Sequence, residues 1–178
     1  MEKDVKDALD LLGKGNGKAL DIGTGSGRLA SGLCEYGYTV ISIDENENAL
    51  KRSEQNIINE GQCSNILLMK GDAHNLPFLD KTFDVVATYN AMHHMRDYKK
   101  VIDEMFRVLK SGGKILISEL NERGRADVEQ RHRERGQHHE AKIDINDIKS
   151  YIEEVYNCNL NIMESERTNI ILCKSINI

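Results

Sequence analysis

The sequence predicts an α/β fold: a doubly wound, seven-stranded sheet, mostly parallel, with helices on both faces and an antiparallel hairpin strand at its C-terminal end. Two observations carry this expectation. Five short apolar runs between residues 19 and 119 alternate with helix-compatible segments, the pattern of a parallel sheet wound by crossover helices. Two further strand-like runs, 160–167 and 168–174, follow each other closely enough to form a hairpin.

Residues 2–12 place Val5, Ala8, Leu9 and Leu12 at helical spacing, so a short amphipathic helix precedes the glycine-rich break at 13–17. Residues 19–22 read as strand 1, 28–35 as the first crossover helix, and Gly37 as its stop. Strand 2 follows at 39–43 and closes on Asp44. A helix over 47–59 buries Ala49, Leu50, Ser53 and Ile57 and ends at Gly61. Strand 3 spans 65–70 and runs into Gly71-Asp72-Ala73, and strand 4 spans 83–89. The helix over 98–109 turns Val101, Met105 and Val108 inward, and Ser111-Gly112-Gly113 is expected to turn the chain into strand 5 at 114–119. Right-handed crossovers bring the ends of these strands to one rim, so Asp21, Asp44, Asp72 and Asn90 are expected to face one crevice. Asp84, at the start of strand 4, falls on the opposite rim, where a structural role is expected.

Composition narrows the function. A chain of 178 residues suits one domain, 1–178. With 39% hydrophobic and 30% charged residues, it has no apolar run approaching the roughly 20 residues of a membrane span, and no membrane partner is expected. The charged start, Met1-Glu2-Lys3-Asp4, lacks the apolar core of a secretion signal. Cys34, Cys63, Cys158 and Cys173 show no C-x-x-C spacing, which argues against a zinc ribbon, a redox pair or a disulfide framework; reduced thiols and a cytoplasmic location are expected. A net charge of -5 gives no electrostatic footprint for nucleic acid.

Asp21-Ile22-Gly23-Thr24-Gly25-Ser26-Gly27 ends strand 1 and opens a helix. Glycines are used where a Cβ would collide with a ligand or where φ must be positive, and a helix start offers free N–H groups. The stretch therefore suits a nucleotide-like cofactor. A dinucleotide fingerprint would place a third glycine where Arg28 stands, and it has no use for Asp72.

Five blocks taken together are more specific than any one of them: Leu20–Gly27, Ile43-Asp44, Gly71-Asp72-Ala73, Phe83-Asp84-Val85-Val86 with Asn90-Ala91-Met92-His93-His94, and Arg107–Gly113. Over about residues 17–119 the chain resembles the class I S-adenosylmethionine-dependent methyltransferases, whose Rossmann-like sheet also closes with an antiparallel strand. Ser111 stands where many relatives carry proline. The resemblance implies that Gly23, Gly25 and Gly27 let the backbone approach the methionine and ribose parts of the cofactor, with Asp21 near the methionine ammonium. It implies further that Asp44 holds the ribose hydroxyls, that Asp72 and the Ala73 amide meet the adenine, and that Asn90 contributes near the methionine. Thr24 and Glu45 complete the expected cofactor set. S-adenosyl-L-methionine would be the methyl donor and S-adenosyl-L-homocysteine the product.

The acceptor side is less defined. Residues 121–142 are polar, mixing arginines with acids and His132, His138 and His139, and are expected to form a substrate-side lid or insert. The spacing of His132, His138, His139 and Glu140 matches no metal signature, so no metal is expected. His93 and His94 read as packing or loop hydrogen bonding beside the crevice. Where a base is needed, His94 and His139 are the candidate catalytic residues. The leading expectation is methyl transfer to a small-molecule acceptor. The alternatives are a cofactor-binding partner or regulatory protein without transferase activity and, behind it, an NAD-dependent oxidoreductase. A homodimer stays open.

Overall fold

In a computed structural model, which describes residues 1–61, 64–134, 143–156 and 158–175, a single sheet orders the chain. Its strands are β1 (Lys18–Ile22), β2 (Thr39–Asp44), β3 (Ile66–Lys70), β4 (Phe83–Tyr89), β5 (Leu109–Leu120), β6 (Cys158–Glu164) and β7 (Thr168–Ser175). From edge to edge they run β3-β2-β1-β4-β5-β7-β6. The first five pair in parallel. β7 lies antiparallel to both β5 and β6, as a hairpin at the end of the chain requires.

Among the described residues, six α-helices accompany it: α1 (Lys3–Leu12), α2 (Arg28–Glu35), α3 (Glu47–Glu60), α4 (Tyr98–Val108), α5 (Glu122–Glu134) and α6 (Ile145–Val155). Strand side chains alternate between the two faces of the sheet. Leu20 and Ile22 join one buried cluster with Val101, Met105 and Ile148 from α4 and α6. Ala19 joins the other, with Leu9 and Leu12 of α1 and Leu29 and Leu33 of α2. Helices therefore cover both faces.

The helix ends follow local chemistry. Asn46 accepts the Asn48 N–H at the start of α3, and Asp144 accepts the Asn146 N–H while Asp147 reaches back to the Asp144 N–H, a capping box. Asp84 lies away from the crevice, as expected, and its carboxylate takes the Lys18 N–H at 2.8 Å and the Lys110 ammonium at 2.9 Å.

Two expectations need correction. Ser111-Gly112-Gly113 is no turn before β5 but part of the strand. The pairing of β5 with β4 shifts register between Phe83 and Val85, and Gly112 takes a φ of +74°. A Cβ on Gly113 would stand 2.9 Å from the Asp84 carbonyl, so the glycines let the strands meet while the shift absorbs the extra residues. The second correction concerns the thiols: Cys34 is disulfide-bonded, because wide sequence spacing does not prevent two cysteines from meeting in space. Cys158 and Cys173 are free, and Cys63 lies outside the described residues.

Phe83 is fully buried and meets Phe78 edge to face at 5.0 Å between ring centroids. Phe83→Ala is expected to cost about 3–5 kcal/mol of stability by leaving a cavity between β4 and α4, which urea denaturation would measure.

Candidate active site

The strand order reverses between β1 and β4, and a cavity of about 570 Å³ opens at the carboxyl ends of β1, β2 and β4. Its floor is the glycine turn. Gly23 and Gly25 hold φ of +81° and +55°, and the Gly23 and Thr24 N–H groups both reach the Ile43 carbonyl, at 2.9 and 3.0 Å. Asp44 fixes the turn from the side: one carboxylate oxygen accepts the Gly25 N–H at 3.1 Å, and the other accepts the Asn46 N–H at 2.9 Å.

Of the expected cofactor residues, Gly23, Thr24, Gly25, Asp44, Glu45, Asp72, Ala73 and Asn90 line this cavity. Asp21 and Gly27 do not. Gly27 shapes the entry into α2, at a φ of +83° and with no room for a Cβ, which would stand 2.4 Å from the Ser53 hydroxyl. Asp21 lies one layer below the floor, 1% exposed. Its Oδ2 accepts the Ser42 hydroxyl at 2.6 Å, and Ser42 in turn is 2.6 Å from the Thr24 hydroxyl. With the Ser42 hydrogen given to Asp21, the Thr24 hydroxyl must donate to Ser42. Thr24 thus spends its hydroxyl beneath the floor and presents only an apolar wall. Burial pushes the Asp21 carboxyl up to about 7, with the Asp44 charge adding to the rise and the Ser42 hydrogen bond opposing it.

Asp72 accepts the His74 N–H at 2.8 Å and faces its Nδ1 at 2.7 Å; the backbone bond first, and then the ring, hold its carboxyl below the ordinary value. Asn90 adopts a φ of +51°, uncommon for a residue with a side chain. Its N–H is held by the Ser118 carbonyl at 2.8 Å. Its Oδ1 is buried and has no hydrogen-bond partner among the described residues. Such an acceptor calls for a donor from a bound molecule.

His74, Tyr89 and Arg96 also line the cavity, although nothing in the sequence singled them out. The ordinary cue for His74 was its position two residues after Asp72. Burial raises the Tyr89 phenol, which therefore keeps its proton. Asp44, Glu45 and Asp72 together with an orphaned amide oxygen offer acceptors for the hydroxyl and amino groups of a nucleoside bearing an amino acid, and Arg28, Arg52 and Arg96 line the same cavity.

A second cavity, of about 360 Å³, adjoins the first and shares Arg28, Tyr89, Asn90 and His94 with it. Its far wall is α5, through Gly124, Val128, Arg131 and His132. Asn121 anchors this helix: its Oδ1 accepts the Gly124 N–H at 2.9 Å and its amide reaches the Ser165 carbonyl at 3.3 Å. A Cβ on Gly124 would stand 2.1 Å from the Arg167 carbonyl, so α5 sits with its backbone against the β6–β7 turn. Of the two candidate bases, His94 lines both cavities, while His139 lies outside the described residues, as does His138. Among the described residues, no group of three His, Cys, Asp or Glu side chains could hold a metal ion, and no helix is long and apolar enough to cross a membrane.

Comparison with known proteins agrees with this geometry. Residues 20–117 match the profile of a family described as a methyltransferase domain. The chain is similar to a demethylmenaquinone methyltransferase of a Geobacillus strain, with 36% identity over 108 residues, or 59% of this chain and 46% of that protein. It is also similar to a ubiquinone/menaquinone biosynthesis C-methyltransferase of Saccharophagus degradans, 35% identical over 68% of this chain and 50% of that protein. The chain thus spans about half the length of these relatives. A SAM-dependent methyltransferase from Aquifex aeolicus shares the fold, with a TM-score of 0.76 at 19% identity over 97% of this chain and 90% of that one.

Two predictions test the floor of the site. Asp44→Ala removes charged hydrogen bonds worth about 1.5–3 kcal/mol, so calorimetry should show S-adenosylmethionine binding weakened about ten- to a hundredfold. Asp21, whose folded value lies above the ordinary 3.8, favours the folded state at low pH and loses that contribution as pH rises to about 7. Asp21→Asn should therefore flatten the pH dependence of stability in urea denaturation and stabilise the protein above pH 7, by on the order of 2–4 kcal/mol.

Proposed function

The chain belongs to the methyltransferase-domain family, and from that premise we propose that it transfers a methyl group from S-adenosyl-L-methionine to a small-molecule acceptor seated in the second cavity. The observation that carries this reading is the pair of adjoining cavities, one walled by Asp44, Glu45 and Asp72 and the other opening beyond Asn90. Asp44 would hold the ribose hydroxyls, Asp72 the adenine, and the Asn90 Oδ1 the ammonium of the methionine part. When bound, the cofactor supplies an electrophilic methyl group. The chain supplies position: Gly23 and Gly25 leave room along the floor, and Asn90 and His94 stand where the two cavities meet. Holding two reactants in line can be worth about 7–11 kcal/mol.

For the acceptor, we propose a hydroxyl-bearing aromatic ring of the hydroquinone type. The printed names of the two curated relatives support this class. The lining of the second cavity suits the polar head of such a molecule, since Glu2, Asp4, Arg28 and Arg131 surround it. In this reading α5 is the acceptor-side cover, and the NAD-dependent alternative is disfavoured by Arg28, which stands where the dinucleotide fingerprint has its third glycine.

Calorimetric titration with S-adenosylmethionine, S-adenosylhomocysteine and NAD is expected to show binding of the first two only; binding of NAD alone would refute the cofactor assignment. With 1,4-naphthohydroquinone as acceptor, mass spectrometry should detect a monomethylated product. Cofactor binding without any product from this probe would count against the hydroquinone class.

A further inference from the structure

The acidic and guanidinium side chains around the second cavity are engaged with one another or with the backbone, with one exception. Glu2 Oε2 holds Arg28 Nη1 at 3.0 Å. Asp4, 5% exposed, accepts the Arg167 N–H at 2.8 Å, and the Arg167 Nε donates to Asp127 Oδ2 at 2.8 Å. Glu119, near the end of β5, is spent as well: its Oε2 lies 2.6 Å from the His93 Nδ1, and both side chains are 3% exposed. The exception is Arg131. On the same helix, Arg123, Arg125 and Arg133 pair with Glu166, Asp144 and Glu129 respectively. Arg131, the arginine of α5 that lines the cavity, forms no ion pair among the described residues. Its Nε donates to the Asp127 carbonyl one turn back, at 3.1 Å. That bond steadies the guanidinium and leaves its two Nη groups for a ligand.

The rest of α5 says what kind of ligand. Gly124, Val128 and Arg131 recur at i, i+4 and i+7, so they form one stripe of the helix along the cavity wall. Val128 and, across from the helix, Leu120 of β5 supply apolar lining. Arg131 stands three residues beyond Val128, about 4.5 Å further along the helix axis. That is the reach from an aromatic ring to an ionised substituent carried on it. A carboxylate fits the paired N–H groups of a guanidinium, with two parallel hydrogen bonds. A phosphate dianion would bring a second negative charge toward Glu2 and Asp4 on the same lining. Arg131 does not line the first cavity, so the cofactor's own carboxylate is not its partner.

We propose that Arg131 is a specificity-determining residue of the acceptor site and that the preferred acceptor is a hydroquinone-type ring bearing a carboxylate. The proposal deepens the methyl-transfer reading above and rests on it. The ring lies against Leu120 and Val128, the carboxylate meets the Nη groups of Arg131, and the neutral ring is left as an acceptor of higher KM.

Calorimetry on the full chain, loaded with S-adenosylhomocysteine, tests this with 2,5-dihydroxybenzoate and its uncharged counterpart 2,5-dihydroxybenzamide. The wild type is expected to bind the acid about tenfold more tightly than the amide, the lower end of what hydrogen bonds to charged groups contribute. Arg131→Gln should bring the two affinities within about twofold of each other, and Arg131→Lys, which keeps the charge but loses the paired N–H groups, should fall between. Arg133→Gln, one of the ion-paired arginines outside the cavity, should leave the preference intact. Equal affinities in the wild type, binding of neither compound, or a preference that survives Arg131→Gln or disappears in Arg133→Gln would overturn the proposal. With S-adenosylmethionine, Arg131→Gln should raise KM for the acid about tenfold with kcat little changed, as loss of uniform binding requires; a fall in kcat at constant KM would overturn it too. Failure of S-adenosylhomocysteine to bind, or preferential binding of the acid with no methylated product, would instead defeat the methyl-transfer reading, so the two failures are distinguishable.

Discussion

The site depends on the reversal of strand order between β1 and β4. Chain leaving β1 turns to the face covered by α1 and α2, and chain leaving β4 turns to the face covered by α4 and α6. Neighbouring strands thus send their connections apart, and the gap between them cannot be filled from the sheet itself. What keeps the gap from collapsing is a set of backbone bonds just beyond the strands. Gly23 and Thr24 donate to Ile43 on β2, Gly71 donates to Asp44, and Asn90 donates to Ser118 on β5. Each loop is tied to the last carbonyls of the strand beside it, so the ladder in effect continues into the loops. Two of these donors, Gly23 and Asn90, take positive φ, which glycine and asparagine tolerate best.

Beneath this rim the Asp21–Ser42–Thr24 chain explains why an acid precedes the glycines without touching the cavity. A buried carboxyl with a single hydrogen-bond partner is held toward its neutral form. In that state it can brace the turn without placing a second negative charge next to Asp44. The acid at the end of β2, partly exposed and bonded to two backbone N–H groups, is the one suited to a ligand's hydroxyls.

Much of the fold was legible because hydrophobic period and glycine punctuation agree: α2, β4 and the hairpin follow from residues that admit few alternatives. The start of β5 was not, because Gly112 and Gly113 signal a turn and a strand irregularity equally well. In the site, Asp44, Asp72 and Asn90 could be read from their places at strand ends. Asp21 could not be placed from sequence, because an alternating strand does not say whether a residue near its end points up into a crevice or down beneath it; Thr24 lines the cavity, but the turn of its hydroxyl toward Ser42 carried no cue. The partnership of His93 with Glu119 was invisible for another reason. The residues lie 26 positions apart, and only the pairing of β4 with β5 brings them together. Glu119 carries no local cue, since an acid closing a strand is common, and one fully buried is not.

The anchoring of α5 has a consequence for descent. The matched family region ends at residue 117, whereas the wall of the second cavity is built from α5 and held by Asn121, Gly124 and the turn at 165–167. Among the described residues, Gly124, Val128, Arg131 and His132 form one side of that cavity and face Glu2, Asp4, Arg28, Tyr89, Asn90 and His94 of the earlier stretch across it, while none of α5 lines the first cavity. Substitutions on the cavity-facing residues of α5 would reshape that side of the second cavity while the lining of the first stays the same. In the proposed reaction, lineages sharing this sheet would in that way be free to change the acceptor while keeping the donor.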